Sequence, residues 1–331
     1  MNTSARLVSI LSRVREAGLL VALVVLVVAV TIKEPRFLSV NNVRAILLSV
    51  AILAVVAIGQ TLVVLTRNID LSVASIVGLV AYAVRDLLKA EPDLSIVLAI
   101  AVGILIGAGL GAINGALVTV GRVPAIVATL GTMYVFRGLT FALGGGTLIT
   151  AQSEPAAFKN IALSRPGGIP TPILVAAALA LVFGYVLRYT RLGRQLYAIG
   201  SNPDAARPAG IRSGRVVFGA YVACGVLSGV GGVLWGARFG SIDARAASGL
   251  ELQVVAAVVL GGVNIFGGVG TIGGVMLGAI LLGTIQNALT ILRLNQFWLQ
   301  AISGAAILSA VTIDLLITKR LRRTLTLRRI Q

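Results

Sequence analysis

Long apolar stretches follow one another along the chain with short polar breaks between them. Ten are long enough, or nearly so, to cross a bilayer: roughly 17–32, 43–65, 71–88, 94–119, 124–143, 171–188, 214–236, 252–268, 271–291 and 297–317. A helical span needs about 20 mostly apolar residues, and hydrocarbon offers the backbone no hydrogen-bond partner, so helices are required. The pattern predicts an all-α polytopic membrane protein. Only Gly267-Gly-Val-Gly-Thr-Ile-Gly-Gly separates the eighth stretch from the ninth, which leaves the ends of these two, and of the third, the least defined.

An internal repeat lies in this pattern. Gly111-Ala-Ile-Asn-Gly-Ala-Leu resembles Gly283-Thr-Ile-Gln-Asn-Ala-Leu, and upstream of each an acid precedes Leu, in Asp70-Leu-Ser-Val-Ala-Ser and Glu251-Leu-Gln-Val-Val-Ala. Internal repeats are usual in transporters, whose pathway runs between the halves; the plainer reading is that Gly/Ala/Leu-rich helices look alike by composition. Gly103, Gly107, Gly111 and Gly115 recur every fourth residue, a stripe that lets another helix approach closely. Gly268-Val-Gly-Thr-Ile-Gly matches the dinucleotide pattern GxGxxG literally, but no strand precedes it in a βαβ unit, and it reads as a turn between spans.

Composition agrees. Hydrophobic residues make up 57% of 331, charged residues 12%, and the mean hydropathy is +1.00, against about 25% charged in soluble domains. The net charge of +17 would suggest nucleic acid in a soluble protein, but the basic residues sit in short runs between apolar stretches, as in loops between spans, and no nucleic-acid partner is expected. With ten spans both termini share a side. That side collects 17 of the 28 Lys and Arg residues, including Arg67, Arg122, six in 188–215 and six in the tail, so the positive-inside rule makes the termini cytoplasmic. The domains expected are a cytoplasmic segment 1–16, a transmembrane domain 17–317 with a cytoplasmic loop at 189–213, and a basic tail 318–331. The charged start before the run from Ala17 resembles a signal peptide, but no small-residue cleavage site follows, so it reads as an uncleaved first span.

There is no histidine and one cysteine, Cys224. A histidine-ligated metal, a Ser-His-Asp triad and an internal disulfide are excluded, and no cofactor is expected on the chain. Thr66-Arg-Asn-Ile-Asp-Leu-Ser lies between two apolar runs with almost no linker. Polar groups so near hydrocarbon are costly and are kept mostly where they face a cavity or a partner. Thr66, Asn68, Asp70 and Ser72, with Asn114 and Thr129 inside later spans, are therefore the candidate pathway residues. Arg67 and Asp70, three apart, could pair on one helical face; the alternative is a tight polar turn at the surface. Gln60, Thr132, Gln286 and Asn287 add neutral groups inside spans. Such groups suit an uncharged polyhydroxylated ligand, although each taken singly reads first as a helix-packing contact rather than a ligand contact.

The loop from Tyr189 to Ile211 is too patterned for a tether. Asn202 or Ser201 can cap a helix with Pro203 at its first position and Asp204 in its first turn, and Pro208 and Gly210 would end it after barely two turns. A short helix held along the membrane suits docking by a cytoplasmic partner. No GxxxxGK[ST] occurs, so any nucleotide chemistry belongs to that partner.

Gly59-Gln-Thr-Leu-Val-Val-Leu-Thr-Arg-Asn-Ile-Asp-Leu-Ser-Val-Ala-Ser-Ile, Val123-Pro-Ala-Ile-Val-Ala-Thr-Leu-Gly-Thr-Met, the 189–211 loop and Ala256-Ala-Val-Val-Leu-Gly-Gly-Val-Asn-Ile-Phe-Gly-Gly-Val-Gly together resemble the inner-membrane permease subunits of bacterial ABC importers for ribose-type sugars. The resemblance runs in the family's order over about residues 37–317. Thr66-Arg-Asn-Ile-Asp departs from the commoner form with Gly-Gly before Ile-Asp and looks more like the autoinducer-2 and rhamnose branch; Ala74 stands where the family usually has Gly. The resemblance implies a bacterial inner-membrane location, a periplasmic sugar-binding protein outside, a second permease subunit (the same chain or a paralogue) sharing the pathway, and a cytoplasmic ABC ATPase that binds ATP and Mg2+. It makes Asn202, Pro203, Asp204, Ala205, Ala206, Arg207 and Gly210 the ATPase-coupling segment and sets 66–72 near the pathway. A stand-alone secondary transporter or channel is the alternative, but Asp70, Glu251 and Asp314 all fall near predicted span ends and there is no histidine relay. A membrane enzyme would lack paired carboxylates, a triad or a metal cluster.

Overall fold

The computed structural model describes residues 3–144, 148–150, 155–239, 241–295, 297–309 and 312. Its helices are α1 (Thr3–Lys33), α2 (Val40–Leu65), α3 (Val73–Ala90), α4 (Ile96–Thr119), α5 (Ala125–Gly144), α6 (Ala156–Leu163), α7 (Thr171–Tyr189), α8 (Arg191–Ser201), α9 (Pro203–Ala206), α10 (Ser213–Arg238), α11 (Leu250–Leu260), α12 (Ile272–Ile291) and α13 (Phe297–Ser309). A two-residue ribbon, β1 (Ile149–Thr150) against β2 (Ser241–Ile242), is antiparallel with Ile149 opposite Ile242.

The ten apolar stretches become α1–α5, α7 and α10–α13. Among the described residues seven helices are long and apolar enough to cross a membrane: α1 from Glu16, α2, α4, α5, α7, α10 and α12. Helix α3 is of similar length but carries Arg85, Asp86 and Lys89 in its second half. The eighth stretch was expected to reach 268, yet α11 stops at Leu260. Gly262, Gly267 and Gly268 take positive φ there, and a Cβ on Gly261 would collide with the backbone of Gly274 and Val275 in α12. The glycines thus fold the chain back tightly after a half-length helix. The 318–331 tail lies outside the described residues.

Helix α2 runs through the centre, buried from Val50 to Leu65, whereas α1 from Glu16 on lies along its flank with only Val30 buried. The packing is reciprocal: α2 lies on α12 and α10 on α4, α2 meets α11 and α10 meets α3, and α2 and α10 touch each other. This pairs α2–α3–α4 with α10–α11–α12, as the repeated motifs require. Helix α2 ends against α8 and α10 starts just after α9, at the same end of the bundle, so the two repeats run in opposite directions, the inverted arrangement of many transporters.

The glycine stripe of α4 meets a second stripe on α10. A Cβ at Gly107 would strike the carbonyl of Gly225, one at Gly225 would strike that of Gly107, and one at Gly111 would lie 2.5 Å from the Tyr221 carbonyl. Backbone therefore packs on backbone, which is how helices gain contact where lipid supplies no hydrophobic drive.

The bundle has two distinct ends. At one, Arg85 donates to the carbonyls of Phe239 (2.8 Å) and Thr150 (2.9 Å), and Arg137 donates to that of Ala246 (2.6 Å), so two arginines from α3 and α5 hold the ribbon and its approach. There too Asn42 and Asn287 exchange amide hydrogen bonds of 2.9 and 3.0 Å, clasping the start of α2 to the end of α12. At the other end lie α8 and α9, and Thr271 at the start of α12 donates to Glu16 of α1 at 3.2 Å.

Candidate functional site: a helix break joined to a surface helix pair

Helix α2 ends in a Schellman turn: the Arg67 N–H donates to the Val64 carbonyl (3.0 Å) and the Asn68 N–H to that of Val63 (3.3 Å). This geometry places its C′ residue in the left-handed region, normally glycine's place, and here Arg67 holds it at φ 67°. Thr66 and Asn68 brace the turn from within, Thr66 donating to the Val63 carbonyl at 2.7 Å and Asn68 to Thr66 Oγ1 at 2.9 Å.

Beyond the turn the chain crosses to α3 through a fully buried polar cluster. Asp70 accepts from the Ser72 backbone N–H at 2.9 Å and its hydroxyl at 2.7 Å. Asn114 of α4 donates to Ser72 Oγ at 2.7 Å and accepts from Thr132 of α5 at 2.7 Å. Thr129 reaches the Ile69 carbonyl at 3.2 Å. Gln60, with its amide turned to suit its neighbours, pairs with the Asp70 backbone N–H and carbonyl at 3.1 and 3.2 Å. Asp70, Ser72, Asn114, Thr129 and Gln60 are all 0% exposed. The six candidate pathway residues thus separate: Asp70, Ser72, Asn114 and Thr129 form one network across α2–α5, while Thr66 and Asn68 form a self-contained turn. Buried polar groups are tolerated only when paired, and these are.

Of the two arrangements the spacing allows, the Arg67–Asp70 pair does not form, and the tight polar turn does. With its backbone in the left-handed region, Arg67 turns away from α3 and donates Nε to the Gly200 carbonyl (2.6 Å) and Nη2 to that of Ser201 (2.9 Å). These are carbonyls of the last turn of α8, which lack helical partners and favour a cation. Helix α8 is the element the sequence reading passed over within the 189–213 loop: Thr190 caps it, accepting from the Gly193 N–H at 3.3 Å. Its signal was the apolar spacing of Leu192, Leu196 and Ile199, with Leu196 and Ile199 buried.

Helix α9 follows at once and is shorter than predicted, a single turn. Asn202 is its cap, accepting from the Ala205 N–H at 3.1 Å with Pro203 first in the helix, and Gly210 takes φ 77° where the chain turns away. Ala206 is buried, while Asn202, Asp204, Ala205, Arg207 and Gly210 are exposed. The glycine turn after α11 completes the junction. Gly268 N–H donates to the Leu65 carbonyl at 3.1 Å, Tyr197 of α8 donates to the Gly270 carbonyl at 2.8 Å, and Gly200 lies against Leu65 and Gly268 with no room for a side chain. Burial raises the Tyr197 pKa above its ordinary value, so the phenol remains a donor at neutral pH. The ends of α2 and α8 therefore meet the glycine turn that leads into α12, with α9 exposed beside them.

Comparison with known proteins places the chain in a family. The profile of the family described as branched-chain amino acid transport system / permease component matches residues 42–311. The chain belongs to that family. The permease is 37% identical over 297 residues to the ribose import permease protein RbsC of Escherichia coli K12, covering 89% of this chain and 92% of the relative. It is 38% identical over 306 residues to the autoinducer 2 import system permease protein LsrC of Yersinia enterocolitica, covering 91% and 82%. A Yersinia pseudotuberculosis LsrC matches at 38% over 300 residues, covering 91% and 84%. The two kinds of relative stand at nearly the same identity. No solved structure matches the permease.

Proposed function

We propose that this chain is the membrane-spanning subunit of an ATP-binding-cassette importer in the bacterial inner membrane, carrying a neutral monosaccharide or sugar-like molecule of the ribose, rhamnose or autoinducer-2 class into the cytoplasm. The observation that carries the reading is the near full-length likeness to RbsC and LsrC. The end bearing α8 and α9 faces the cytoplasm, in keeping with the basic residues gathered there. A cytoplasmic ATPase, holding ATP and Mg2+, docks on Asn202, Pro203, Asp204, Ala205, Ala206, Arg207 and Gly210. A periplasmic sugar-binding protein docks at the ribbon end, and a second permease subunit completes the pathway.

In this reading Arg67 passes movement of α8–α9 to the α2–α3 break. The network of Asp70, Ser72, Asn114 and Thr129, with the turn of Thr66 and Asn68, holds that break beside the pathway and moves as a unit. Replacing Asp204 and Arg207 together by alanine removes two exposed side chains and disturbs no described core contact. Uptake is expected to fall to background while the protein still inserts and melts normally; normal uptake by the double variant would remove the coupling assignment.

A further inference from the structure

Near the ribbon end, between the two repeats, lies a cavity of about 130 Å³. Ser49 of α2, Trp235 and Arg238 of α10, Gln253 of α11 and Gln286 of α12 line it. At ~30 Å³ per water it has room for a few waters or one small solute. Arg238 donates Nη2 to Ser49 Oγ at 2.8 Å, lies over the Phe239 ring at 5.1 Å, and has no carboxylate partner among the described residues. The Trp235 and Phe239 rings pack 4.5 Å apart. The side-chain amides of Gln253 and Gln286 hydrogen-bond to none of the described residues. Arg238, Gln253 and Gln286 are half-buried and line the cavity, and polar groups within a membrane bundle are kept mostly where they meet a cavity or a partner.

We propose that this cavity is a binding site for a single neutral monosaccharide on its way through the permease. The inference rests on the sugar-permease reading and gives the sugar a place. Each hydroxyl of a sugar both donates and accepts, and so matches two amides, each with a donor and an acceptor, and the guanidinium N–H groups not spent on Ser49. The Trp235 ring offers an apolar surface to the C–H face of a pyranose or furanose. No carboxylate lines the cavity, so nothing there would hold the ammonium of an amino acid. The site brings together α2 and α12 from opposite repeats with α10 and α11, so a shift of one repeat against the other opens or closes it.

The test uses the full chain in lipid nanodiscs with Trp298→Phe, which leaves Trp235 as the only tryptophan. D-ribose or L-rhamnose should change its fluorescence saturably, and L-leucine should not. Gln253→Ala with Gln286→Ala should raise the half-saturating concentration about tenfold or more, and the conservative Gln253→Asn/Gln286→Asn pair should recover part of the loss, which a merely misfolded protein would not do. A silent Trp235 with both sugars, a response to leucine equal to that to sugar, or a response the alanine pair leaves unchanged would overturn the site. Sugar uptake by the complete transporter is measured in parallel. Uptake with a silent Trp235 defeats this inference alone, whereas a responsive Trp235 without uptake defeats the importer reading and leaves the site standing.

Discussion

At the scale of single residues, Arg67 does two things that pull against each other. Its left-handed backbone costs about 1–2 kcal/mol relative to glycine, yet its guanidinium satisfies two carbonyls at the end of α8. A glycine would suit the turn better and lose the link. Arg67→Gly is therefore expected to melt within about 1 kcal/mol of wild type, since relief of strain offsets the lost hydrogen bonds. Sugar moved per ATP hydrolysed should fall roughly 2- to 30-fold, the range for removing 0.5–2 kcal/mol of coupling. An unchanged ratio would show that Arg67 is only a cap. Asn114 presents the opposite case, a residue whose partners stay behind when it goes. Asn114→Ala takes one bond each from Ser72 and Thr132, whose hydroxyls keep the Asp70 carboxylate and the Thr129 carbonyl, and should cost about 0.5–1.5 kcal/mol per lost bond, seen as a lower melting temperature. Asn114→Asp should cost more, because it sets a second carboxylate against Asp70.

At the scale of elements, the most extensive helix packing among the described residues joins α4 to α10. Gly107 and Gly109 make a matched pair on one helix: a Cβ at Gly107 strikes the backbone of α10, and one at Gly109 meets nothing within 4 Å. Gly107→Val should force the two helices apart and destabilise or abolish the fold, and Gly109→Val should melt like wild type; equal melting temperatures would remove the claim that this contact supports the bundle. Much at this scale was legible in the sequence. Ten apolar stretches become ten helices, the four-residue glycine spacing marks the close contact, and Asn202 with Pro203 marks the start of α9. What escaped notice has a physical cause in each instance. Helix α8 is polar by composition and declares itself only through the spacing of Leu192, Leu196 and Ile199. Helix α11 ends early because its glycines must fit beneath α12, which depends on the partner helix and not on local hydropathy. The ribbon is held by Arg85 and Arg137, which bond to carbonyls far along the chain.

At the scale of the whole molecule, two inverted repeats interlock, each placing its first helix against the third of the other. One end carries a clasp of arginines and asparagines around a ribbon, and the other gathers the ends of α2 and α8 and a glycine turn beside the exposed α9. The candidate pathway residues were found from their cost in hydrocarbon, but their grouping was not: nothing in the spacing says that Arg67 faces α8 while Asp70 faces α4. That division is set by the left-handed turn between them. On the proposed reading, the membrane core is braced as one unit and driven from the α8–α9 end.

The central claim is tested most directly by sugar uptake into proteoliposomes that hold the full chain, with and without its ATPase and binding protein. Uptake is expected only with both partners and ATP inside the compartment facing α9, and ion gradients should have no effect. Sugar accumulation by the chain alone, driven by a proton or sodium gradient without ATP, would contradict the account.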